Sequence, residues 1–206
     1  MQKEALASLK ELREAGKKRA LVISATGTGK TYLAAFDVRE FKPKRMLFVI
    51  HREQIAKDAM ISFKRILGNN ITMSVLSGNN KCIKSDYIFS TIQTLSRNNI
   101  LNKFSKDAFD YICIDEAHHS GANSYLKIIN HFNPQFLLGM TATPERTDNI
   151  NIYELFYYNI AYEIRLQGAL EADMLTPFHY FGITDIFING KPLDEGADIR
   201  NLVSEE

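Results

Sequence analysis

The stretch "SATGTGKT", residues 24–31, decides how this chain folds, because it joins two segments of different character. Residues 19–23 before it are mostly apolar, which predicts a buried strand. Residues 32–41 after it have the pattern of a helix. A glycine-rich turn that follows a strand, opens a helix and ends in Gly-Lys-Thr is much rarer than a chance glycine turn. The stretch therefore raises the question of whether it binds phosphate.

The residue types in this turn suit an anionic phosphate chain. Gly27 and Gly29 let the backbone curl so that successive N–H groups point inward, and the new helix adds its positive N-terminal end. Lys30 supplies a charge that can reach the β- and γ-phosphates, and the Thr31 hydroxyl can bind Mg²⁺. Ser24 stands where the full pattern has glycine, and a small residue is tolerable there. The alternative is a glycine turn beside an ordinary surface lysine.

Length and composition set the class of protein. The chain has 206 residues, enough for one sizeable core, and 45% of them are hydrophobic. With 25 Lys and Arg against 24 Asp and Glu, the formal charge is +1, so any polyanion site must be local. No segment has the character of a signal peptide or of a membrane span, which predicts a cytoplasmic protein without a membrane partner. Cys82 and Cys113 lack metal spacing, which predicts buried free thiols, with a disulfide as the alternative.

Short apolar runs alternate with longer amphipathic ones, which predicts a doubly wound, mostly parallel sheet flanked by helices. The predicted strands are residues 20–24, 46–50, 73–76, 87–90, 111–114 and 136–140. The predicted helices are residues 3–14, 30–41, 53–67 and 124–132, and the third should turn Ile55, Ala59, Phe63 and Ile66 inward. After Thr176-Pro177 the alternation stops, and one or two strands are expected in the remaining segment.

A second polar element is "YICIDEAHH", residues 111–119. Asp115 and Glu116 follow an apolar strand, and ligands of open α/β sheets bind at the carboxyl ends of the strands. If this strand neighbours the first one, Asp115 could hold Mg²⁺ and Glu116 could deprotonate an attacking water. The alternative is a solvated acidic turn.

The ordered segments "ATGTGKT", "HREQIAKDA", "STIQTL", "DEAHH" and "TATPER" together resemble the first motor domain of a superfamily II helicase of the DEAH type. The resemblance covers residues 2 to 177, and it implies a RecA-like P-loop NTPase domain over residues 1–177. Residues 178–206 would be a linker or the start of a second lobe. The segment from Ala161 to Asp185 also resembles the bridge between motor lobes in proteins akin to type III restriction subunits.

The resemblance implies roles for individual residues. ATP would be bound by Gln2, Thr26, Gly27, Thr28, Gly29, Lys30 and Thr31, with Gln2 on the adenine edge, unless Gln2 is simply exposed. Mg²⁺ would be held by Thr31 and Asp115, and catalysis would rest on Lys30, Asp115 and Glu116. His118, Thr141 and Thr143 would couple the γ-phosphate of the nucleotide to movement on nucleic acid. The alternative for the two threonines is that they only cap the end of a strand. Nucleic acid would contact His51, Arg52, Thr91, Gln93 and Thr94. The alternative is that "HREQ" only caps a helix and that "STIQTL" is only a buried turn.

The implied function is that of the ATP-binding lobe of a DNA helicase or translocase, with a restriction-enzyme motor subunit or an RNA helicase lobe as alternatives. A small-molecule kinase and a non-catalytic relic domain fit the motifs less well. Such motors work with a second RecA-like lobe, whose arginines neutralise transition-state charge and are worth about 10³–10⁵ in rate. Since the sequence has no Gly-Arg dipeptide, we expect this chain to bind nucleotide but to hydrolyse it very slowly.

Overall fold

The chain is described by a computed structural model, which covers residues 2–77, 83–115, 122–144 and 151–172 and the backbone of 187–188 and 191–192. It divides between Leu175 and Thr176 into two compact units. In the first unit the helices are α1 Gln2–Glu14, α2 Lys30–Phe41, α3 Glu53–Leu67, α4 Ile92–Leu95, α5 Asn98–Leu101, α6 Ala122–His131, α7 Ile152–Leu155 and α8 Leu166–Glu171. Its strands are β1 Arg19–Ser24, β2 Met46–Ile50, β3 Met73–Leu76, β4 Tyr87–Thr91, β5 Tyr111–Asp115, β6 Phe136–Thr141 and β7 Ile160–Ile164. The second unit contains a short antiparallel pair, β8 Phe187–Ile188 and β9 Lys191–Pro192.

The seven strands of the first unit form one parallel sheet in the order β3-β4-β2-β5-β6-β1-β7. This confirms the predicted α/β class and all six predicted strands, and it adds β7. The sequence pattern allows β5 as a possible neighbour of β1, but β6 lies between these two strands. The strand with the glycine-rich turn and the strand with the acidic segment are therefore not neighbours.

Both faces of the sheet are covered, as the nearly uninterrupted apolar strands require. Side chains along β1 alternate between the two faces: Ala20 and Val22 pack with the core under α1, α2 and α3, and Leu21 and Ile23 with the core under α4 to α7. On α3 the buried residues are Ala56, Ala59 and Phe63. The predicted positions Ile55 and Ile66 flank this stripe and are only partly buried. Among the described helices, none is long and apolar enough to cross a membrane.

A buried polar network ties α1, α2 and β5 together. Asp37 of α2 is fully buried, and its two carboxylate oxygens accept hydrogen bonds of 2.7 and 2.9 Å from Nη1 of Arg13 on α1. The Tyr111 hydroxyl at the start of β5 donates to the same carboxylate at 2.6 Å. Burial raises the pKa of Asp37, and the charge of Arg13 and the Tyr111 hydrogen bond oppose that rise. The buried Asp37 carboxylate thus has both an opposite charge and hydrogen-bond donors beside it inside the core.

Two basic clusters, Lys17-Lys18-Arg19 and Lys42-Lys44-Arg45, lie next to the starts of β1 and β2, at the amino-terminal edge of the sheet. Such clusters before strands predict solvated surface, and this prediction is wrong for Arg45. Its guanidinium donates to the carbonyl of Ile83 at 2.9 Å and lies 5.1 Å from the centre of the Phe109 ring, and its backbone N–H donates to Asp110 at 2.9 Å. Arg45 therefore joins loops along that edge. Cys113 is a buried free thiol, as predicted, and Cys82 lies outside the described residues.

Gly139 shows why β6 has a glycine at the centre of the sheet. A methyl group at this position would overlap the ring of Phe156, which is fully buried. We expect Gly139→Ala to lower the unfolding free energy by about 1–3 kcal/mol, as overpacking does. The melting temperature should fall by about 2–4 °C per kcal/mol in a domain of this size.

Gly168→Ala is the matched control for this substitution, because a methyl group there would meet Ile164 at an ordinary 3.4 Å. Since Gly168 lies inside helix α8, the control should keep or slightly raise the melting temperature. Phe156→Leu should recover part of the loss caused by Gly139→Ala. Equal melting temperatures for the two alanine variants would contradict the packing argument.

Candidate nucleotide site

The glycine-rich turn lies at the carboxyl end of β1 and leads directly into α2. Gly27 and Gly29 have φ angles of 87° and 86°, the left-handed conformation that glycine adopts at little cost. Both glycines are therefore required by the backbone, as the sequence predicted.

Lys30 is buried, and its ammonium group is directed into the turn. Nζ donates to the backbone carbonyls of Ser24 at 2.8 Å and Ala25 at 3.2 Å. These neutral acceptors hold the cation where the turn begins. A phosphate oxygen carries more negative charge than a carbonyl, so it can compete for the same donor.

Two hydroxyls stabilise the turn in a way that the sequence reasoning missed. Thr28 Oγ1 donates to the Ala25 carbonyl at 2.7 Å, and it lies 2.6 Å from Ser24 Oγ. Because Thr28 has a single hydroxyl proton, Ser24 must be the donor in this pair. Ser24 therefore donates a hydrogen bond that stabilises the turn, at the position where the full pattern has glycine. The serine at that position was the sequence feature that could have indicated this bond.

Gln2 lies against the turn. A side-chain carbon added to Gly29 would sit 2.9 Å from Nε2 of Gln2. The first residue of α1 therefore places its amide beside the turn. This proximity was implied by the resemblance and could not have been derived from the spacing of the residues along the chain.

A cavity of about 360 Å³ opens beside the turn. Its lining includes Thr26, Gly27, Gly29, Lys30 and Thr31 from the turn and Asp115 from the end of β5. Asp115 is buried and reaches the cavity although β6 separates its strand from β1. Oxygen donors such as the Thr31 hydroxyl and the Asp115 carboxylate are those that Mg²⁺ prefers, so the residues present fit this ion.

The far wall of the cavity comes from α3, which the sequence reasoning did not assign to the site. Asp58 and Ser62 line it, together with Tyr32 of α2. Hydrogen bonds with Arg65 and Ser62 lower the pKa of Tyr32, so this residue connects the start of α2 with α3. The helical period of α3 could have indicated this wall, since Asp58 and Ser62 lie four residues apart and therefore share one face of the helix.

Thr141 lies between the two halves of the site. It ends β6, where it is fully buried and pairs with Ile23 of β1, while the preceding Met140 pairs with Asp115 of β5. The hydroxyl of Thr141 accepts a hydrogen bond from the backbone N–H of Thr143 at 3.2 Å. Glu116 and His118 lie outside the described residues.

The residues expected to contact nucleic acid differ in exposure. His51 lines the cavity at the end of β2, and Arg52 is the exposed residue that begins α3 without a side-chain capping bond. Thr91 and Thr94 are buried and cap α4 through hydrogen bonds to each other, while Gln93 between them is exposed. The hydroxyls of this segment therefore already serve the local turn.

A parallel sheet with a glycine-rich turn after β1, a lysine at the start of the next helix and a carboxylate at the same edge defines a RecA-like P-loop domain. The comparisons with known proteins agree with this class. The chain belongs to the family described as type III restriction enzyme, res subunit, whose model matches residues 1–146.

Two sequence relatives and one solved structure are similar to this chain. IRC3 of Saccharomyces cerevisiae, named as an ATP-dependent helicase, is 34% identical over 150 residues, which are 65% of this chain and 21% of that protein. L396 of Acanthamoeba polyphaga mimivirus, named as an ATP-dependent RNA helicase, is 28% identical over 162 residues, 78% of this chain and 30% of that protein. The structure of a nuclease-deletion mutant of the type ISP restriction-modification enzyme LlaGI, in complex with a DNA substrate mimic, has a TM-score of 0.64 at 18% identity and covers 84% of this chain.

These similarities concern one part of larger proteins. The chain spans 21% and 30% of the two sequence relatives and 20% of the LlaGI chain. The fold is that of the first RecA-like lobe of a superfamily II helicase motor.

Proposed function

We propose that this chain is the ATP-binding motor lobe of an ATP-dependent DNA helicase or translocase. The observation that carries the proposal is the shared cavity, in which Lys30 and Thr31 of the turn face Asp115 at the same edge of the sheet. This arrangement places a cation, a hydroxyl and a carboxylate around one space, as the hydrolysis of a magnesium-bound triphosphate needs.

Each residue of the site has a proposed task. Lys30 exchanges the carbonyls of Ser24 and Ala25 for phosphate oxygens, and the backbone N–H groups around Gly27 and Gly29 bind the phosphate chain. Thr31 and Asp115 hold Mg²⁺, which neutralises phosphate charge when bound. Glu116 takes the proton of the attacking water, and His118, Thr141 and Thr143 transmit the state of the γ-phosphate.

The partners follow from the same proposal. Nucleic acid crosses the carboxyl edge of the sheet over Arg52 and Gln93, with His51, Thr91 and Thr94 behind them. DNA is favoured because the family is named for restriction enzymes and the LlaGI structure contains a DNA mimic. A second RecA-like lobe beyond residues 1–177 completes the motor, and residues 178–206 lead toward it. The protein acts in the cytoplasm.

Two other functions have specific support. A motor subunit of a restriction enzyme agrees with the family description. An RNA helicase lobe agrees with the name of the mimiviral relative. A protein that contains this lobe together with a second RecA-like lobe separates the DNA motors from the RNA helicase: its ATP turnover should rise with a DNA oligonucleotide and less with an RNA of the same sequence. Stimulation by RNA alone would favour the RNA helicase.

The 206-residue chain itself tests the motor assignment. We expect it to bind ATP with Mg²⁺ in a calorimeter and to show turnover near background, with or without DNA, because the arginines of the second lobe are needed for rate. Absence of ATP binding would overturn the proposal. Strong DNA-stimulated turnover by this chain would contradict the need for a second lobe.

Gln2 gives a prediction about base selectivity. If its amide pairs with the adenine edge, Gln2→Ala should reduce the preference for ATP over GTP by about tenfold, within the 1–3 kcal/mol that a bidentate base contact supplies. The affinity for inorganic tripolyphosphate, which has no base, should not change. A loss of tripolyphosphate binding in this variant would show that Gln2 supports the turn and does not read the base.

A further inference from the structure

Two consecutive tyrosines adopt an unusual conformation just after α7. Tyr157 and Tyr158 have φ angles of 55° and 56°, a region that bulky residues rarely occupy and that glycine or asparagine adopt more easily. The turn ends α7 through hydrogen bonds from Tyr157 N–H to the Glu154 carbonyl at 2.9 Å and from Tyr158 N–H to the Tyr153 carbonyl at 2.8 Å. These bonds explain the left-handed backbone but do not require aromatic side chains.

Both tyrosine side chains are largely exposed. Tyr157 is 64% exposed and Tyr158 is 65% exposed, so neither contributes much to the core. Two large side chains thus occupy positions whose backbone conformation is unfavourable for them, and their burial adds little stability in compensation. Residues with such backbone outliers cluster at functional sites in proteins, so this turn is a candidate for one.

An apolar cavity of about 180 Å³ lies beside Tyr157. Its interior side chains are almost all aliphatic: Ile112, Ile114, Ile128, Ile129, Leu137 and the aromatic Phe132. They come from β5, β6, α6 and the residue that follows α6. The size and lining suit one apolar side chain better than a polar group.

The mouth of this cavity is polar and basic. Lys18, Arg19, Asn133, Pro134 and Tyr157 line it. The Arg19 guanidinium lies 4.8 Å from the centre of the Tyr157 ring and donates to the Leu155 carbonyl at 2.9 Å, which fixes the ring at the rim. Lys18 is exposed, and no described carboxylate forms an ion pair with it.

We propose that this surface, formed by Lys18, Arg19, Tyr157, Tyr158 and the adjoining cavity, binds a segment of a partner protein. That segment would insert one apolar side chain into the cavity and place carboxylates near Lys18. Exposed tyrosines and an arginine around a pocket are the residues that dominate binding energy in protein interfaces. We call it the Tyr157 surface.

A protein fits the Tyr157 surface better than a nucleic acid does. The cavity interior offers no side-chain hydrogen-bond donors to the polar edges of a base, and Arg19 already bonds to a carbonyl. The surface lies at the amino-terminal edge of the strands, since Arg19 begins β1, whereas the nucleotide cavity lies at the carboxyl edge. A partner bound here would leave the nucleotide cavity accessible.

The test uses the 206-residue chain and a defined panel of labelled peptides. Each peptide has a central leucine, phenylalanine or tryptophan flanked by glutamates, with lysine-flanked and alanine-centred versions for comparison. We expect fluorescence anisotropy to show saturable binding of the acidic apolar peptides and at least tenfold weaker binding of the two comparison sets. Lack of saturation by every acidic peptide would overturn the proposal, as would tighter binding of a labelled single-stranded DNA that the same substitutions abolish.

Two variants locate the binding and separate it from folding. The double variant Tyr157→Gly and Tyr158→Gly removes both rings and relieves the backbone strain, so its melting temperature should stay level or rise by about 2–4 °C while peptide affinity falls at least tenfold. Lys18→Glu should weaken the acidic peptides, and Lys44→Glu, an exposed lysine elsewhere on the same edge, should not. A fall in melting temperature with unchanged peptide affinity would assign the tyrosines to stability and overturn the proposal. Lys30→Ala should leave peptide binding unchanged, so failure of the nucleotide site would be recognised separately.

Discussion

Replacing Lys30 by alanine should weaken the binding of magnesium-ATP by about 100-fold or more. Hydrogen bonds to charged groups are worth roughly 1.5–3 kcal/mol each, and each 1.4 kcal/mol is a factor of ten in affinity. In the proposed complex Lys30 makes such bonds to two phosphates. Calorimetry with a non-hydrolysable ATP analogue and Mg²⁺ measures the loss directly.

The control for Lys30→Ala must separate binding from the folding of the turn, because Nζ also bonds to the carbonyls of Ser24 and Ala25. Lys44→Ala removes an exposed lysine just after the same helix and should leave affinity unchanged. The melting temperature of each variant without nucleotide reports on the turn itself. If Lys30→Ala binds the analogue as tightly as the unchanged chain, the proposed phosphate site is wrong.

Removal of the metal gives a second, independent result for the same cavity. Chelation of Mg²⁺ should lower the affinity for the ATP analogue, because the phosphate charges then lie beside the Asp115 carboxylate without neutralisation. Asp115→Asn should reduce the difference between affinities with and without Mg²⁺. If the difference is the same in both proteins, Asp115 does not hold the ion.

The local elements of this fold were predictable because their signals are short-range. The apolar strands are continuous along the chain, and the turn at residues 24–31 carries its backbone requirement in its glycines. Long helices such as α3 reveal themselves by period, but α4 and α7 have four residues each, too few for a period to show. β7 was missed because its burial alternates irregularly along an edge of the sheet.

The arrangement of the site was less predictable because it depends on strand order. Nothing in the pattern of β5 indicates that β6 separates it from β1, yet Asp115 and Lys30 still share a cavity. Arg45 shows the same limit, since its partners Ile83 and Asp110 lie far from it along the chain. The left-handed backbone at Tyr157 has no sequence signal, because tyrosine is not a residue that predicts it.

The largest loss of stability is expected from Asp37→Leu. This substitution leaves the Arg13 charge and the buried Tyr111 hydroxyl without their acceptor inside the core. Removing one partner of a buried ion pair typically costs about 3–5 kcal/mol. At about 2–4 °C per kcal/mol, the melting temperature should fall by roughly 10 °C. Thermal and denaturant unfolding of the 206-residue chain measure both quantities.

The molecule provides a matched comparison for Asp37→Leu. Lys10 and Glu40 form an ion pair of 3.9 Å between the same two helices, but with side chains 57% and 43% exposed. Lys10→Ala should therefore cost less than about 1 kcal/mol. A cost for Asp37→Leu as small as that of Lys10→Ala would show that the buried network contributes little.

A combined variant separates the attraction within the network from the penalty of an unpaired charge. Arg13→Met, Asp37→Leu and Tyr111→Phe together replace the polar groups by apolar ones of similar size, and buried ion pairs replaced in this way are often tolerated. The combined variant should be more stable than Asp37→Leu alone. Because α1, α2 and β5 carry Gln2, Lys30 and Asp115, its affinity for the ATP analogue then reveals whether the network also positions the nucleotide site. Restored stability with weakened ATP binding would assign it that second role, and full binding would confine it to holding the three elements together.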